Sequence, residues 1–162
     1  MRTALGVVWI MGLLAGVPAR SQSVSIVKVD RLQQLINRPN DTLYVVNFWA
    51  TWCAPCVKEL PQFEALRHRY ATKKLNVLLV SLDDKKTLDT KVSPFIRTRK
   101  IKSKVVLLDE SDLNTWVDKV APEWSGALPM TLILSQKRNV RQFIGKPVKE
   151  GELDSIINQY KL

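Results

Sequence analysis

A near-continuous apolar run, Leu43–Trp49, leads within a few positions into Trp52-Cys53-Ala54-Pro55-Cys56, which holds both cysteines of the chain. A run of that kind predicts a central strand buried on both faces. After it, Leu60, Phe63, Leu66 and Tyr70 recur at helical spacing, so a helix is predicted from the cysteines to about Tyr70. Pro55 suits the start of that helix, where backbone N–H groups have no intrahelical acceptor. Pro61 falls inside it and predicts a kink. A buried strand feeding directly into a helix restricts the fold to layers of helix on sheet.

The same junction decides the chemistry open to the cysteines. Cys53 falls at the helix N-terminus, where unpaired N–H groups and the helix dipole stabilise a thiolate. Cys53 is therefore the expected exposed nucleophile. Cys56, one turn on, is the expected buried partner that resolves a mixed disulfide. Ala54 brings neither charge nor hydrogen bond between them, which tilts the pair toward the reducing end of the range. A zinc site would need two more Cys or His ligands, and the chain has only His68, predicted at the surface or in packing late in the helix. A purely structural disulfide here would close so short a loop that it adds only about 2 kcal/mol. No metal or organic cofactor is expected.

The chain has 162 residues, 46% hydrophobic and 25% charged, which suits one folded domain with a real core. Its net charge of +10 is spread along the chain, with a denser patch at Arg97, Arg99, Lys100, Lys102 and Lys104. No aromatic residues interleave that patch, so nucleic-acid binding by base stacking is not expected. Met1-Arg2 followed by an apolar run from Ala4 to Val17 reads as a leader over residues 1–20, cut after Ala19 or after Ser21. The run is short for a bilayer span, for which about 20 residues are needed. An exported domain over residues 21–162 is therefore expected, in a compartment where disulfides form. If the leader is not cut, it would tether the domain to the membrane.

The rest of the chain alternates strands and helices. A short strand is predicted within 23–29 and a helix capped by Asp30 running to about Arg38. Further strands are predicted at Leu75–Ser81 and Lys104–Leu108, with helices at 87–99 and from about Leu113 to Val120. Residues 130–135 and 140–144 read as a hairpin, and 150–160 as a closing helix with Leu153, Ile156 and Ile157 inward. Helix-connected strands, then a hairpin and a last helix, give a mixed sheet covered on both faces.

The segment Val46-Asn47-Phe48-Trp49-Ala50-Thr51-Trp52-Cys53-Ala54-Pro55-Cys56-Val57-Lys58-Glu59-Leu60-Pro61 resembles the active-site segment of thioredoxin-fold proteins. It is most similar to the exported TlpA/ResA-like thiol-disulfide oxidoreductases, over about residues 42–160. The resemblance implies an α/β thioredoxin-like sheet with an insert, between Leu82 and Trp124, before a cis-proline. Pro129, just ahead of the Met130 strand, matches that cis-proline, which sits beside the cysteines and pairs with substrate backbone. Glu59 matches a family glutamate on the active-site helix, a carboxylate able to move protons and to raise a thiol pKa. Asn47 stands where thioredoxins proper have a buried aspartate. Ala127 and Met130 depart from the family's glycine and threonine around the proline. With Gly126, Trp124 and Leu128, they are expected to line the groove beside Cys53, as is Trp52 at the active-site surface. Trp49 is expected in packing.

The expected function is thus disulfide reduction in periplasmic partner proteins, catalysed by Cys53 and Cys56 with Glu59. Trp52, Leu128 and Pro129 are the expected substrate-binding residues. The resemblance implies apocytochrome c among the partners and a membrane electron donor for recharging, with the basic patch near a docking face. The oligomeric state is left open. An oxidase or isomerase of the same fold is the first alternative, to be decided by reduction potential. A peroxidase of the peroxiredoxin type would need Pro and Thr where this chain has Val46 and Ala50. A copper carrier would want a methionine-histidine cluster, which is absent from the sequence.

Overall fold

The computed structural model describes residues 23–162. The leader, its two cleavage points and any tether it forms lie outside the described residues. In chain order the elements are β1 (Ser25–Val27), α1 (Val29–Ile36), β2 (Leu43–Trp49), α2 (Ala54–Arg69) and β3 (Leu75–Ser81). Then come α3 (Ser93–Thr98), β4 (Lys104–Leu108), α4 (Val117–Val120), β5 (Met130–Ser135), β6 (Val140–Ile144) and α5 (Glu152–Asn158). One six-stranded sheet results, in the order β1-β4-β3-β2-β5-β6. β1, β4, β3 and β2 are parallel, while β5 is antiparallel to β2 and β6 to β5. This is the mixed sheet with helices on both faces that the residue pattern predicts.

β2 is central and every residue in it is buried. Successive side chains point to opposite faces, so the strand feeds two cores. Val45 and Trp49 pack with Phe63 and Leu66 of α2 and Ile156 and Ile157 of α5 on one face. Tyr44, Val46 and Phe48 pack with Leu32 and Ile36 of α1 and with Trp116 and Trp124 on the other. α2 runs unbroken through Pro61, and its last turn carries Arg67 and Arg69, cations that suit the negative end of a helix. His68 is exposed, as expected.

Three local predictions need correction. Asp30 does not cap α1; the helix starts at Val29, whose N–H is instead satisfied at 2.7 Å by the Glu110 carboxylate, just past the end of the neighbouring strand β4. The helix predicted over 87–99 is three pieces: a 3₁₀ turn at Lys85–Thr87, a π turn at Leu88–Val92, and α3. Pro94 falls in the first turn of α3, where its missing N–H is harmless, so the proline marks a start rather than an interior. The helix from Leu113 to Val120 is likewise split, with a 3₁₀ turn at Leu113–Thr115 ahead of α4.

Candidate active site

The ends of β2 and β3 lie side by side, with Trp49 opposite Ser81, and this junction builds the site. Ala50 follows β2, and the Cys53 N–H returns to its carbonyl at 3.1 Å, closing a tight turn through Thr51 and Trp52. Cys53 is the N-cap residue of α2, and its Sγ accepts from the Cys56 N–H at 3.4 Å. The two cysteines are joined in a disulfide with Cα atoms 5.3 Å apart. Cys53 retains 6% of its surface and Cys56 none. The order of exposure is the expected one, though Cys53 reaches solvent only by one edge.

Asp83 holds this turn from the neighbouring strand, a role the sequence reading missed. Its side chain is buried and accepts from the Thr51 N–H at 3.0 Å, the Thr51 hydroxyl at 2.5 Å and the Ser81 hydroxyl at 2.8 Å. The one signal in the sequence is an acid two residues past the end of a buried strand, next to the strand that carries the cysteines.

A groove runs past Cys53. It is lined by Trp52, Ala54 and Pro55, by Leu82, Asp109 and Glu110 after the parallel strands, and by Leu113, Trp116 and Gly126–Leu128 of the later loops. Trp52 is 69% exposed, a large apolar side chain at the rim. The Leu128–Pro129 peptide bond is cis, at the position the resemblance marks. Trp124 and Met130 do not line the groove. Met130 is fully buried, and Trp124 packs against Phe48 in a tilted contact, with ring centroids 4.8 Å apart and planes 55° from parallel. Trp124 instead steadies the groove loop from beneath, donating from Nε1 to the Ala127 carbonyl at 2.8 Å. An aromatic in a loop looks like a surface residue until the sheet beneath it is known.

Behind the cysteines, Glu59 is 2% exposed, one turn along α2 from Cys56. It accepts from the Asn47 side-chain amide at 2.9 Å and from the Val148 N–H at 2.7 Å. Burial pushes its carboxyl above the ordinary value, and those two hydrogen bonds only partly oppose this. Asn47 also donates to the Thr131 hydroxyl at 3.1 Å, so it links α2 to β5. Asn47 thus serves the glutamate rather than merely lacking the acid of thioredoxins proper.

The basic patch is not at this site. Arg97 to Lys102 precede β4 and Lys104 opens it, at the end of the sheet where the parallel strands start, whereas Cys53 follows the end where they finish. None of the patch's five side chains lines the groove beside Cys53. Among the described residues no helix is long and apolar enough to cross a membrane.

The chain resembles known proteins along most of its described length. It is 30% identical over 106 residues to the thiol-disulfide oxidoreductase ResA of Bacillus thuringiensis (strain Al Hakam), 65% of this chain and 56% of that protein. It is 30% identical over 69 residues to the sporulation thiol-disulfide oxidoreductase A of Bacillus subtilis (strain 168), 43% of this chain and 42% of that protein. The chain spans about half the length of the curated relatives it matches. A thioredoxin-related protein from Neisseria meningitidis serogroup B superposes with a TM-score of 0.63 at 21% identity, over 75% of this chain and 86% of that one, which identifies the fold as thioredoxin-like. The family model described as AhpC/TSA matches residues 27–143, from the first strand through the cysteine turn and the cis-proline to the hairpin, and the chain belongs to the AhpC/TSA family.

Proposed function

We propose that this chain is an exported thiol-disulfide oxidoreductase that reduces disulfides of other proteins through Cys53 and Cys56. The observation that carries this reading is the joined cysteine pair at the start of α2, with Cys53 capping the helix beside a groove lined by Leu128, whose bond to Pro129 is cis. The names of its relatives, thiol-disulfide oxidoreductases, agree with it. The apolar run from Ala4 to Val17 supports export.

In the proposed cycle the dithiol form is the reagent. The Cys53 thiolate attacks one sulfur of a partner disulfide; a Cys53–partner bond forms, the partner's S–S bond breaks, and the first partner sulfur leaves as thiolate. Cys56 then loses its proton, attacks Cys53 Sγ, and the second partner sulfur leaves. Two electrons and two protons pass to the partner, and the Cys53–Cys56 disulfide remains for an external dithiol donor to reduce. Glu59 takes up the Cys56 proton and passes it toward the leaving partner thiolate, a task suited to a carboxyl whose proton affinity burial has raised. Trp52, Leu128 and Pro129 hold the partner segment along the groove. Apocytochrome c as the partner and a membrane protein as donor complete the proposal in the periplasm. A peroxidase reading gains nothing at the two positions it needs, because Val46 and Ala50 are apolar and fully buried.

Cys56→Ser tests the reading: expressed in the exporting host, it should accumulate a Cys53 mixed disulfide identifiable by mass spectrometry. The proposal fails if no adduct forms and the reduced wild-type protein also leaves a model protein disulfide intact. A reduction potential as oxidising as about −120 mV would instead reverse the direction to an oxidase.

A further inference from the structure

The parallel strands separate the charge of the molecule. Arg97, Arg99, Lys100, Lys102 and Lys104 lie at the end of α3 and in the turn into β4, all exposed. Among the described residues none of these five forms an ion pair. The nearby acids are engaged elsewhere. Glu64 accepts from the backbone N–H groups of Lys102 and Ser103 at 2.9 and 2.8 Å and pairs with Arg67, and Asp41 pairs with Lys74 at 2.7 Å. Exposed Lys73 ahead of β3 and exposed Lys137 in the β5–β6 turn extend the cations along the same edge. Strands lie about 4.8 Å apart, so the row from β4 to β5 is about 15 Å long. At the cysteine end the balance differs: Lys28 and Lys85 are paired with Asp109 at 3.3 and 3.0 Å.

We propose that this basic pole docks the protein on an anionic lipid surface. The row is broad and carries no exposed aromatic side chain on which a base would stack, unlike a single-strand binding groove. A broad cationic edge whose charges lack acidic partners suits an anionic headgroup layer, where each Lys or Arg near the surface strengthens binding. Docked this way, the length of the sheet separates Cys53 from the lipid, and the groove opens to soluble partners. The inference does not use the cysteines, so it stands or falls separately from the redox reading.

The test is co-sedimentation of the purified protein with vesicles of phosphatidylcholine alone or with phosphatidylglycerol added, at low and high salt. Binding is expected only to the anionic vesicles, weakening with salt. Arg97→Gln, Lys102→Gln and Lys104→Gln together should lower the partition coefficient about 100-fold, while thiol exchange in solution is unchanged. Lys58→Gln, Lys86→Gln and Lys149→Gln together remove equal charge at the cysteine end and should lower it much less. Equal losses in the two triple variants would overturn the proposal, as would salt-resistant binding to neutral vesicles, which would assign any attachment to the apolar run. Tighter binding to a DNA duplex than to anionic vesicles at the same salt would overturn it in favour of nucleic acid.

Discussion

Replacing Asp83 should loosen the turn that presents the cysteines, by an amount its hydrogen bonds set. The carboxylate accepts three bonds, from the Thr51 N–H at 3.0 Å, the Thr51 hydroxyl at 2.5 Å and the Ser81 hydroxyl at 2.8 Å. Bonds to a charged acceptor contribute about 1.5–3 kcal/mol each. Asp83→Ala removes all three and strands the Thr51 N–H, but it also relieves the cost of burying a charge. Thr51 is only partly buried, and its hydroxyl can turn to water. The net expectation is a loss of about 2–4 kcal/mol. Asp83→Asn keeps an oxygen for the Thr51 N–H and offers its amide to a hydroxyl, which can accept as well as donate, so it should cost about 1 kcal/mol. Urea unfolding of the disulfide form of each variant measures these values, and the rate of exchange with a protein disulfide should fall in the same order. An alanine variant within about 0.5 kcal/mol of wild type, or an asparagine variant as unstable as the alanine one, would refute the account.

Glu59→Gln probes the buried carboxyl. Because its folded pKa is raised above the ordinary 4.5, Glu59 contributes stability that is fully present below that value and lost as pH rises through the folded pKa. The glutamine variant should therefore gain on wild type in unfolding free energy as pH is raised from acid to neutral, while exchange slows; a stability gap that does not change with pH would contradict the shift. Gly126→Ala should cost about 1–2 kcal/mol in thermal unfolding, because Gly126 has φ +84° while an added Cβ would meet Leu113 only at an ordinary 3.6 Å; an unchanged melting temperature would show that the loop adapts. Trp52→Ala removes a side chain that is 69% exposed, so stability should move by less than about 0.5 kcal/mol while partner exchange slows several-fold; a large drop in melting temperature with exchange unaltered would place Trp52 in packing instead.

The strand at Leu43–Trp49, the helix opening at the cysteines, the hairpin and the inward face of α5 all follow from local pattern. Apolar period and proline position act over a few residues, so the local order of residues carries them. Local pattern failed where a distant group settled the geometry. Glu110 rather than Asp30 satisfies the start of α1, and the residues from Lys85 to Thr98 divide into three turns and helices that their sparse apolar stripe cannot distinguish.

The cysteine pair itself, its order of burial and the place of Pro129 were visible in the chain as written, because spacing within one helical turn and a resemblance over contiguous residues need no knowledge of the third dimension. Only the fold brought Asp83 under Thr51, joined Asn47 to Glu59 and Glu59 to Val148, and buried Met130 and Trp124 beneath the groove they were expected to line. The same fold moved the basic segment away from the cysteines. A parallel strand carries whatever precedes it to one end of the sheet and whatever follows it to the other, and no count of charges along a chain contains that separation.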